Sequence, residues 1–198
     1  TVTKFGIGYA SKEWEGLFNY FAEDNTFKAK DVELAGLILK SEKDNTRFYD
    51  RFRGRLIFPI FNESGKVVAF GGRILFEDEK GAKYINSPES KIYNKSKILY
   101  GLNFAKESIR EKDYIILVEG YMDVTSLYQA GVHNVVASSG TALTADQAGL
   151  ISRYTKNIIL IFDSDFAGIK AARRGIEIIL EAGLDLNIVS LPEGEDPD

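Results

Sequence analysis

Apolar runs and amphipathic stretches alternate along the second half of the chain. Runs rich in Ile, Leu and Val predict strands at residues 114–118, 135–138, 157–162 and 187–192. Helical periodicity predicts helices between them, at residues 124–130, 144–154 and 166–182. The strands are apolar throughout rather than alternately apolar and polar, which is typical of strands buried on both faces. We therefore predict a parallel sheet with helices on both faces.

The first half of the chain predicts two helices near its start. A helix is predicted over residues 9–25 because apolar residues recur at helical spacing, at Trp14, Leu17, Phe18 and Phe21. A second, short helix is predicted after Asp31, a residue typical of helix N-caps, with its inward face formed by Leu34, Leu37 and Ile38. Both helices are interpreted as packing elements without chemistry.

A β-hairpin is predicted in the middle of the chain. Two β-rich runs, residues 56–61 and 67–75, flank a turn composition at residues 62–66. Pro59 within the first run favours an edge strand or a bulge, because proline cannot donate a ladder hydrogen bond. The fold class is therefore α/β, an α+β N-terminal lobe followed by the parallel sheet. We place the two domains at residues 1–108 and 109–198, joined by a polar stretch near residues 106–113.

The composition excludes several kinds of site and partner. The 198 residues include no cysteine and one histidine, His133, which excludes disulfides, thiolate zinc sites, iron–sulfur clusters and multi-histidine metal sites. No apolar run approaches the roughly 20 residues that span a bilayer, and no signal peptide opens the sequence, so no membrane partner is expected. Because the first residue is Thr1 rather than methionine, we expect a piece of a longer protein.

The net charge of −4 hides an uneven distribution. Residues 1–46 carry a net charge of −2, residues 47–100 carry +5, and residues 101–198 carry −7. A basic segment followed by an acidic one suggests a site that attracts polyphosphate on one side and binds divalent cations on the other. Charge scattered over a solvated surface is the alternative at this point.

Acidic residues follow two of the predicted parallel strands. Glu119 comes directly after the strand at 114–118, and Asp163 and Asp165 come directly after the strand at 157–162. Ligand sites in open parallel sheets form beyond the carboxyl ends of the strands, so we expect these carboxylates to share one edge. Clustered carboxylates favour a cation, and oxygen ligands favour Mg²⁺ or Mn²⁺, which suits phosphoryl or nucleotidyl transfer. Asp165 as the N-cap of the following helix, and Asp163 as a turn cap, are the alternatives.

Basic and aromatic residues are interleaved around the predicted hairpin. The basic residues are Arg51, Arg53, Arg55, Lys66, Arg73, Lys83, Lys91, Lys95 and Lys97, and the aromatic residues are Phe52, Tyr84, Tyr93 and Tyr100. We interpret this region as a basic β-rich lobe, which would attract polyphosphate. For Phe52 and Tyr100, core packing is the preferred interpretation.

Several motifs together resemble one family. EGYMD at 119–123, followed by an apolar strand ending in DxD at 163–165, resembles the Toprim domain, which bacterial primases, topoisomerases and some nucleases share. With RFRGRLIFPI (51–60), FGGR (70–73), KYINSPES (83–90), LYGLNFA (99–105), ASSGTALT (137–144) and LPEGEDPD (191–198), the chain resembles the DnaG-type bacterial primase over essentially its whole length.

The resemblance implies an RNA polymerase core that makes primers on single-stranded DNA from ribonucleoside triphosphates. It implies Mg²⁺ (or Mn²⁺) ligands at Glu119, Asp163 and Asp165, with Asp123, Asp196 and Asp198 at outer acidic positions. It also implies phosphate contacts by Arg73 and Lys83, base or sugar contacts by Tyr84 and Asn86, and template or nucleotide binding by Lys95, beside the basic residues Arg51, Arg53 and Arg55.

The resemblance also implies partners and a setting. Family members carry an upstream zinc-binding module, and no zinc is expected in this cysteine-free segment. In the family the core continues past GEDPD into further helices, so we expect a Toprim domain truncated at its C-terminal end. A C-terminal domain that binds the replicative helicase follows those helices and is expected to lie outside this segment. A cytoplasmic, bacterial location at the replication fork follows from the family. Strand cleavage of the topoisomerase or nuclease type, and a non-catalytic nucleic-acid- or nucleotide-binding module, are the alternative functions.

Overall fold

The structure is a computed structural model of the chain, and it describes residues 1–24, 27–44, 46–76, 81–140, 142–162 and 166–192. The chain forms two compact units. The first, here called the antiparallel unit, comprises Val2–Ile60 and Val67–Tyr93. The second, here called the parallel unit, comprises Phe61–Lys66 and Asn94–Asp198, together with Thr1. The assignment of nucleotide and template binding to residues 1–108, and of metal binding to residues 109–198, stays a prediction.

The antiparallel unit is built of short helices and strands. In chain order its elements are α1 (Val2–Phe5), β1 (Gly8–Ala10), α2 (Gly16–Asp24), α3 (Ala29–Leu34), β2 (Ile38–Lys40), β3 (Phe48–Asp50), β4 (Arg55–Phe61, the last residue belonging to the parallel unit), β5 (Val67–Ile74) and β6 (Tyr84–Asn86). One sheet has the strand order β1-β4-β5-β6, and β2 pairs with β3 in a second, antiparallel ribbon.

The predicted hairpin is confirmed as β4 and β5. The Asn62 backbone N–H donates to the Lys66 carbonyl at 2.9 Å, and the Asn62 side-chain oxygen accepts from the Lys66 N–H at 3.0 Å. Of the two arrangements predicted from Pro59, an edge strand or a bulge, the edge strand is wrong, because β4 lies between β1 and β5. Proline is accommodated there since β1 pairs only with the residues from Arg55 to Ile57, before Pro59 is reached.

The helix predicted over residues 9–25 is wrong in its first part. Tyr9 lies in β1, where it pairs with Leu56, and α2 begins only at Gly16. The Asp50 carboxylate accepts hydrogen bonds from the backbone N–H groups of Leu17 (2.7 Å) and Phe18 (3.0 Å). A carboxylate distant in sequence therefore satisfies the first turn of α2 and sets where the helix begins.

The second predicted helix differs in position. It spans Ala29–Leu34 and so begins before Asp31, which lies in its first turn rather than at its N-cap. Leu34 is exposed rather than packed inward, whereas Ile38 is buried in β2, outside the helix. The apolar positions that predict one helix are thus divided between a helix, a turn and a strand.

The parallel unit confirms the predicted alternation. A 3₁₀ turn at Lys95–Lys97 precedes α4 (Leu102–Lys112), β7 (Ile115–Val118), α5 (Tyr121–Gln129), β8 (Val135–Ala137), α6 (Ala145–Ile151), β9 (Asn157–Phe162), α7 (Phe166–Glu181) and β10 (Asp185–Ser190). The described strands form a parallel sheet in the order β10-β9-β7-β8. The predicted α/β class is therefore confirmed.

The sheet of the parallel unit has helices on opposite faces. The chain moves from β7 to β8 in one direction and then returns past β7 to β9 and β10. Since such crossovers are right-handed, α5 lies on one face, and α6 and α7 lie on the other. Ile115 and Leu117 point into a core shared with α4, α6 and α7, so the alternate residues of β7 face α5. No helix in the described ranges is long and apolar enough to cross a lipid bilayer.

Candidate functional site

Glu119 lies at the edge of the parallel sheet where ligands are expected. It follows the last residue of β7 directly and is half-buried. β7 has β8 on one side and β9 on the other. The connection from β7 to β8 runs one way across the sheet, and the connection from β8 to β9 runs back past β7 in the other direction. A crevice forms at such a reversal of strand order, beyond the carboxyl ends of the strands. The fold thus puts Glu119 at the switch point of the sheet.

Four of the predicted acidic ligands cannot be assigned a geometry. β9 ends at Phe162, and Asp163 and Asp165 lie outside the described residues, as do Asp196 and Asp198. Within the described residues, no group of three or more Asp, Glu or His side chains is close enough to hold one metal ion. The predicted metal site therefore stays a prediction for these residues.

Backbone hydrogen bonds hold the turn that carries Glu119. The Ser139 N–H, just after β8, donates to the Glu119 carbonyl at 3.0 Å. The Gly120 N–H donates to Oδ2 of Asp123 at 2.8 Å, and Asp123 is buried, with 9% of its surface exposed. The Asp123 carboxylate thus stabilises the turn after Glu119 and the first turn of α5. Metal binding by Asp123 stays a prediction.

The described donor chemistry of this edge fits a hard divalent cation. Glu119 contributes a carboxylate at the switch point, and carboxylate oxygens are the ligands that Mg²⁺ and Mn²⁺ prefer. The cysteine-free sequence has no thiolate to offer a softer metal. Glu119 thus fits such an ion by its chemistry, and its role as a metal ligand stays a prediction.

A basic cavity lies in the antiparallel unit. It has a volume of about 500 Å³ and is lined by Lys12, Trp14, Arg51, Arg53, Gly54, Arg55 and Ile85. The structure thus brings together the three arginines of the RFRGR motif. Their part in binding stays a prediction. Lys12 and Trp14 were missed, because Trp14 was assigned to the buried face of a helix. It is 63% exposed, and an exposed tryptophan beside cations is a signal that only the tertiary structure supplies.

The three arginines of this cavity differ in their contacts. Arg55 is buried and donates to the carbonyls of Gly72 (3.2 Å), Ala82 (3.0 Å) and Lys83 (3.3 Å). Arg51 donates twice to the Asn86 carbonyl, at 3.2 and 2.9 Å. Burial lowers the pKa of the Arg51 guanidinium, while Tyr49 acts in the opposite direction. Arg51 and Arg55 therefore tie β6 and the segment before it to the rest of the unit.

Arg53 is held by aromatic rings. Its guanidinium carbon lies 4.2 Å from the ring centre of Trp14 and 5.2 Å from that of Tyr49, and one of its nitrogens donates to the Asp50 carbonyl. Trp14 and Tyr49 are themselves 5.8 Å apart, centre to centre. A planar cation packed beside two rings, one of them largely exposed, can stack on a nucleic-acid base and attract its phosphate.

Arg73, Lys83, Tyr84 and Asn86 gather around the β5–β6 pair. Arg73 pairs with Tyr84 in the strand register, and its guanidinium carbon lies 5.9 Å from the Tyr84 ring centre. Nε of Arg73 is buried and makes no hydrogen bond within the described residues. Lys83 is exposed, and Asn86 accepts the Arg51 bonds through its carbonyl.

Lys95 belongs to the other unit. It is half-buried and opens the 3₁₀ turn of the parallel unit, whereas Arg73 and Lys83 lie in the antiparallel unit. The Asn94 side chain caps this turn by accepting from the Ser96 N–H at 3.0 Å. The predicted nucleotide- and template-binding residues are therefore divided between the two units.

Comparisons with known proteins identify relatives over the whole chain. A family described as DNA primase catalytic core, N-terminal domain, matches residues 1–106, and a family described as Toprim-like matches residues 116–198. The DNA primase of Clostridium acetobutylicum is 49% identical over 199 residues, which cover 100% of this chain and 32% of that protein. The DNA primase of Synechococcus elongatus is 43% identical, covering 100% of this chain and 29% of that protein. The chain thus spans about a third of the length of these curated relatives.

Solved structures of primases have the same fold. A DNA primase domain from Pseudomonas aeruginosa superposes with a TM-score of 0.90 at 41% identity, over 99% of this chain and 61% of that one. A DnaG primase catalytic domain bound to single-stranded DNA gives 0.87 at 40% identity, over 100% of this chain and 63% of that one. The resemblance predicted from the motifs is confirmed, and the chain belongs to the DnaG-type DNA primase family, as part of its catalytic core.

Proposed function

We propose that this chain is the catalytic centre of a DNA primase, a DNA-directed RNA polymerase that makes short RNA primers on single-stranded DNA. In this proposal residues 109–198 bind metal, and residues 1–108 bind nucleotide and template. The position of Glu119 at the switch point of the parallel sheet, in a chain of this family, is the observation that carries the proposal.

The acidic residues would hold Mg²⁺ or Mn²⁺. Glu119, Asp163 and Asp165 are proposed as the ligands, and Asp123, Asp196 and Asp198 as the outer acidic set. A bound divalent cation would activate the attacking 3′-hydroxyl and neutralise the leaving pyrophosphate. Ser139 supports this role by holding the Glu119 backbone, and Asp123 supports it by holding the turn that follows.

The triphosphate would be bound by Arg73 and Lys83, with Tyr84 and Asn86 near the base or sugar. The buried Nε of Arg73, which has no hydrogen-bond partner among the described residues, supports this assignment, because a phosphate oxygen would satisfy it. The Arg73 guanidinium lies near the face of Tyr84, which fixes its orientation. Lys95 is proposed to bind a phosphate of the template or of the nucleotide.

The single-stranded template would bind at the basic cavity of the antiparallel unit. Arg53 stacked with Trp14 and Tyr49 would receive bases and backbone, and Arg51 would add charge. The proposed part of Arg55 is to shape this surface through its three carbonyl contacts. A related primase core in complex with single-stranded DNA supports the choice of ligand.

The cellular setting follows from the relatives. They are bacterial DNA primases, so we propose a cytoplasmic protein at the replication fork. Contact with the replicative helicase would be made by a C-terminal domain beyond this segment. Ribonucleoside triphosphates would be the substrates.

Template-directed synthesis tests the proposal. A core of the length resolved in the solved relatives is assayed for ribonucleotide incorporation with Mg²⁺ or Mn²⁺, beside Asp163→Ala. We expect synthesis to collapse in the variant and the affinity for single-stranded DNA to survive. The matched control is Asp146→Ala, which removes an exposed aspartate from the first turn of α6. Strand cleavage without synthesis, or DNA binding with neither activity, would overturn the proposal.

A further inference from the structure

The N-terminus of α6 makes contacts beyond its own helix. Thr144 and Gln147 form a capping box: the Gln147 N–H donates to Thr144 Oγ1, and the Thr144 N–H donates to Gln147 Oε1, both at 3.1 Å. This much is ordinary for a helix start. Both side chains, however, also donate to a segment about 50 residues earlier in the chain.

That segment is the 3₁₀ turn that carries Lys95. Gln147 Nε2 donates to the carbonyls of Lys95 (3.1 Å) and Ile98 (2.8 Å). Thr144 Oγ1 donates to the carbonyl of Ser96 at 2.6 Å. Two side chains of one helix start therefore hold three carbonyls of the turn, all within the parallel unit.

The burial of Gln147 makes this arrangement specific. Its exposed fraction is 0%, both hydrogens of its amide are used on the turn, and its amide oxygen is used on Thr144. A buried amide with its donors satisfied leaves few alternative positions for the groups it contacts, because an unmade bond there is costly. The backbone at Lys95 is consequently fixed before any ligand binds.

We infer that Thr144 and Gln147 are positioning residues, which preset Lys95 to bind a phosphate of the template or of the nucleotide. This inference rests on the proposed function, in which Lys95 is a ligand-binding residue. A lysine on a fixed backbone loses less conformational freedom on binding than a lysine on a loose loop, so presetting raises the affinity for phosphate. Neither residue is expected to touch the ligand.

Substitutions at Thr144 separate the two roles of its hydroxyl. Thr144→Asp keeps an N-cap acceptor for the Gln147 N–H but removes the proton donated to Ser96, and Thr144→Ser keeps both. Ser152→Ala is the matched control, because Ser152 bonds the Gly149 carbonyl within the same helical segment and has no bond to the turn. Lys95→Gln and the double variant complete the set.

The experiment measures two affinities in the 198-residue chain. A labelled single-stranded oligodeoxynucleotide is titrated by fluorescence anisotropy over a range of KCl concentrations, and a fluorescent ATP analogue is titrated with Mg²⁺. If Lys95→Gln lowers the affinity for the oligodeoxynucleotide, Lys95 binds a phosphate of the template; if it lowers the affinity for the ATP analogue, Lys95 binds a phosphate of the nucleotide. In the first case, the slope of log affinity against log salt falls by roughly 0.7, the value for one phosphate of a single strand.

Non-additivity is the decisive result. We expect Thr144→Asp to weaken the same probe as Lys95→Gln, by roughly three- to tenfold, the loss typical of one hydrogen bond. In the double variant, Thr144→Asp should lower the affinity less than about twofold below that of Lys95→Gln alone, since the effects of coupled residues are not additive. Thr144→Ser should restore the affinity of the native chain, and Ser152→Ala should leave both affinities unchanged.

Other outcomes overturn the inference. Additive losses of affinity in the double variant would mean that Thr144 does not act through Lys95. The same conclusion would follow if Thr144→Asp lowered the affinity for a probe that Lys95→Gln does not affect. If Lys95→Gln changes neither affinity, the inference fails together with the assigned role of Lys95. The proposed function would still stand on the loss of synthesis in Asp163→Ala, so the two failures are distinguishable.

Discussion

The two units prepare their charged residues in different ways. In the parallel unit Glu119 is placed by topology, because it follows β7, the strand at which the direction of the chain across the sheet reverses. In the antiparallel unit Arg51, Arg53 and Arg55 are placed by contacts with distant carbonyls and rings. A site built on strand ends can be located from the order of elements alone. A site built on long-range side-chain contacts depends on details of packing that differ from one residue to the next.

The sharpest test of this comparison removes the charge of Glu119. We expect Glu119→Gln to lower primer synthesis by roughly a hundred- to a thousandfold, because a metal ligand contributes several kcal/mol to catalysis. The affinity for single-stranded DNA should stay within twofold, since Glu119 is assigned to metal binding and not to the template. Synthesis and DNA affinity are measured side by side, with the exposed Glu111→Gln as control. A parallel loss of DNA affinity would break the comparison.

The next largest effect is expected at Gly36. Its φ is +71°, and an added Cβ would lie 2.4 Å from Cδ of Pro88. Gly36→Ala should therefore lower the free energy of unfolding by about 2–4 kcal/mol, from left-handed strain and overpacking combined. The control is Gly183→Ala, where φ is +67° but no atom lies within 4 Å of the added Cβ, so about 1–2 kcal/mol is expected from strain alone. Urea unfolding measures both; equal losses would show that packing at Pro88 is unimportant.

Arg55 and Arg53 separate stability from binding within one cavity. Arg55→Met removes donors from three carbonyls around a buried side chain, and we expect a loss of about 2–3 kcal/mol in the free energy of unfolding. Arg53→Met should cost less than about 1 kcal/mol yet weaken single-stranded DNA binding by roughly tenfold, because its guanidinium stacks at an exposed tryptophan. Thermal unfolding and anisotropy titrations give the two values for each variant. A larger loss of stability in Arg53→Met than in Arg55→Met, together with a larger loss of DNA affinity in Arg55→Met, would contradict these roles.

The smallest effect concerns alkaline pH. Burial, and secondarily Glu89, raise the pKa of Tyr93 to about 12, above the ordinary value of about 10. Between these two pH values the unfolded chain loses the proton and the folded chain keeps it, so stability falls as pH rises. The contribution of this group to the free energy of unfolding is fully present below pH 10, and up to about 2 kcal/mol of it is lost as the pH rises to 12. Tyr93→Phe should flatten that part of the curve, and Tyr20→Phe, at an exposed ring, should not. Urea unfolding from pH 8 to 12 measures both.

Much of the parallel unit was predictable from sequence. The apolar run at 157–162 coincides with β9, and the other three strands and the three intervening helices appear in the predicted order. This succeeds because an unbroken apolar run and a 3.6-residue period are local properties of the chain. The position of Glu119 follows as well, since it depends only on the order of strands and helices.

The start of the chain was less predictable for a physical reason. Trp14, Leu17, Phe18 and Phe21 have helical spacing, yet the helix begins at Gly16 and Trp14 is exposed. Pairing of Tyr9 with β4 and capping by Asp50 decide this, and both partners are more than 30 residues away. Local periodicity contains no information about such partners.

The sequence by itself determined the family, the class of fold and the acid at the end of β7, because motif order and apolar periodicity are written along the chain. Only the tertiary structure decided that Arg55 is buried against backbone carbonyls, that Trp14 stacks on Arg53, and that Gln147 holds the turn of Lys95. Each of these depends on two groups meeting from distant parts of the chain, and the energy of a hydrogen bond or a stacked ring exists only once the fold has brought them within a few ångströms.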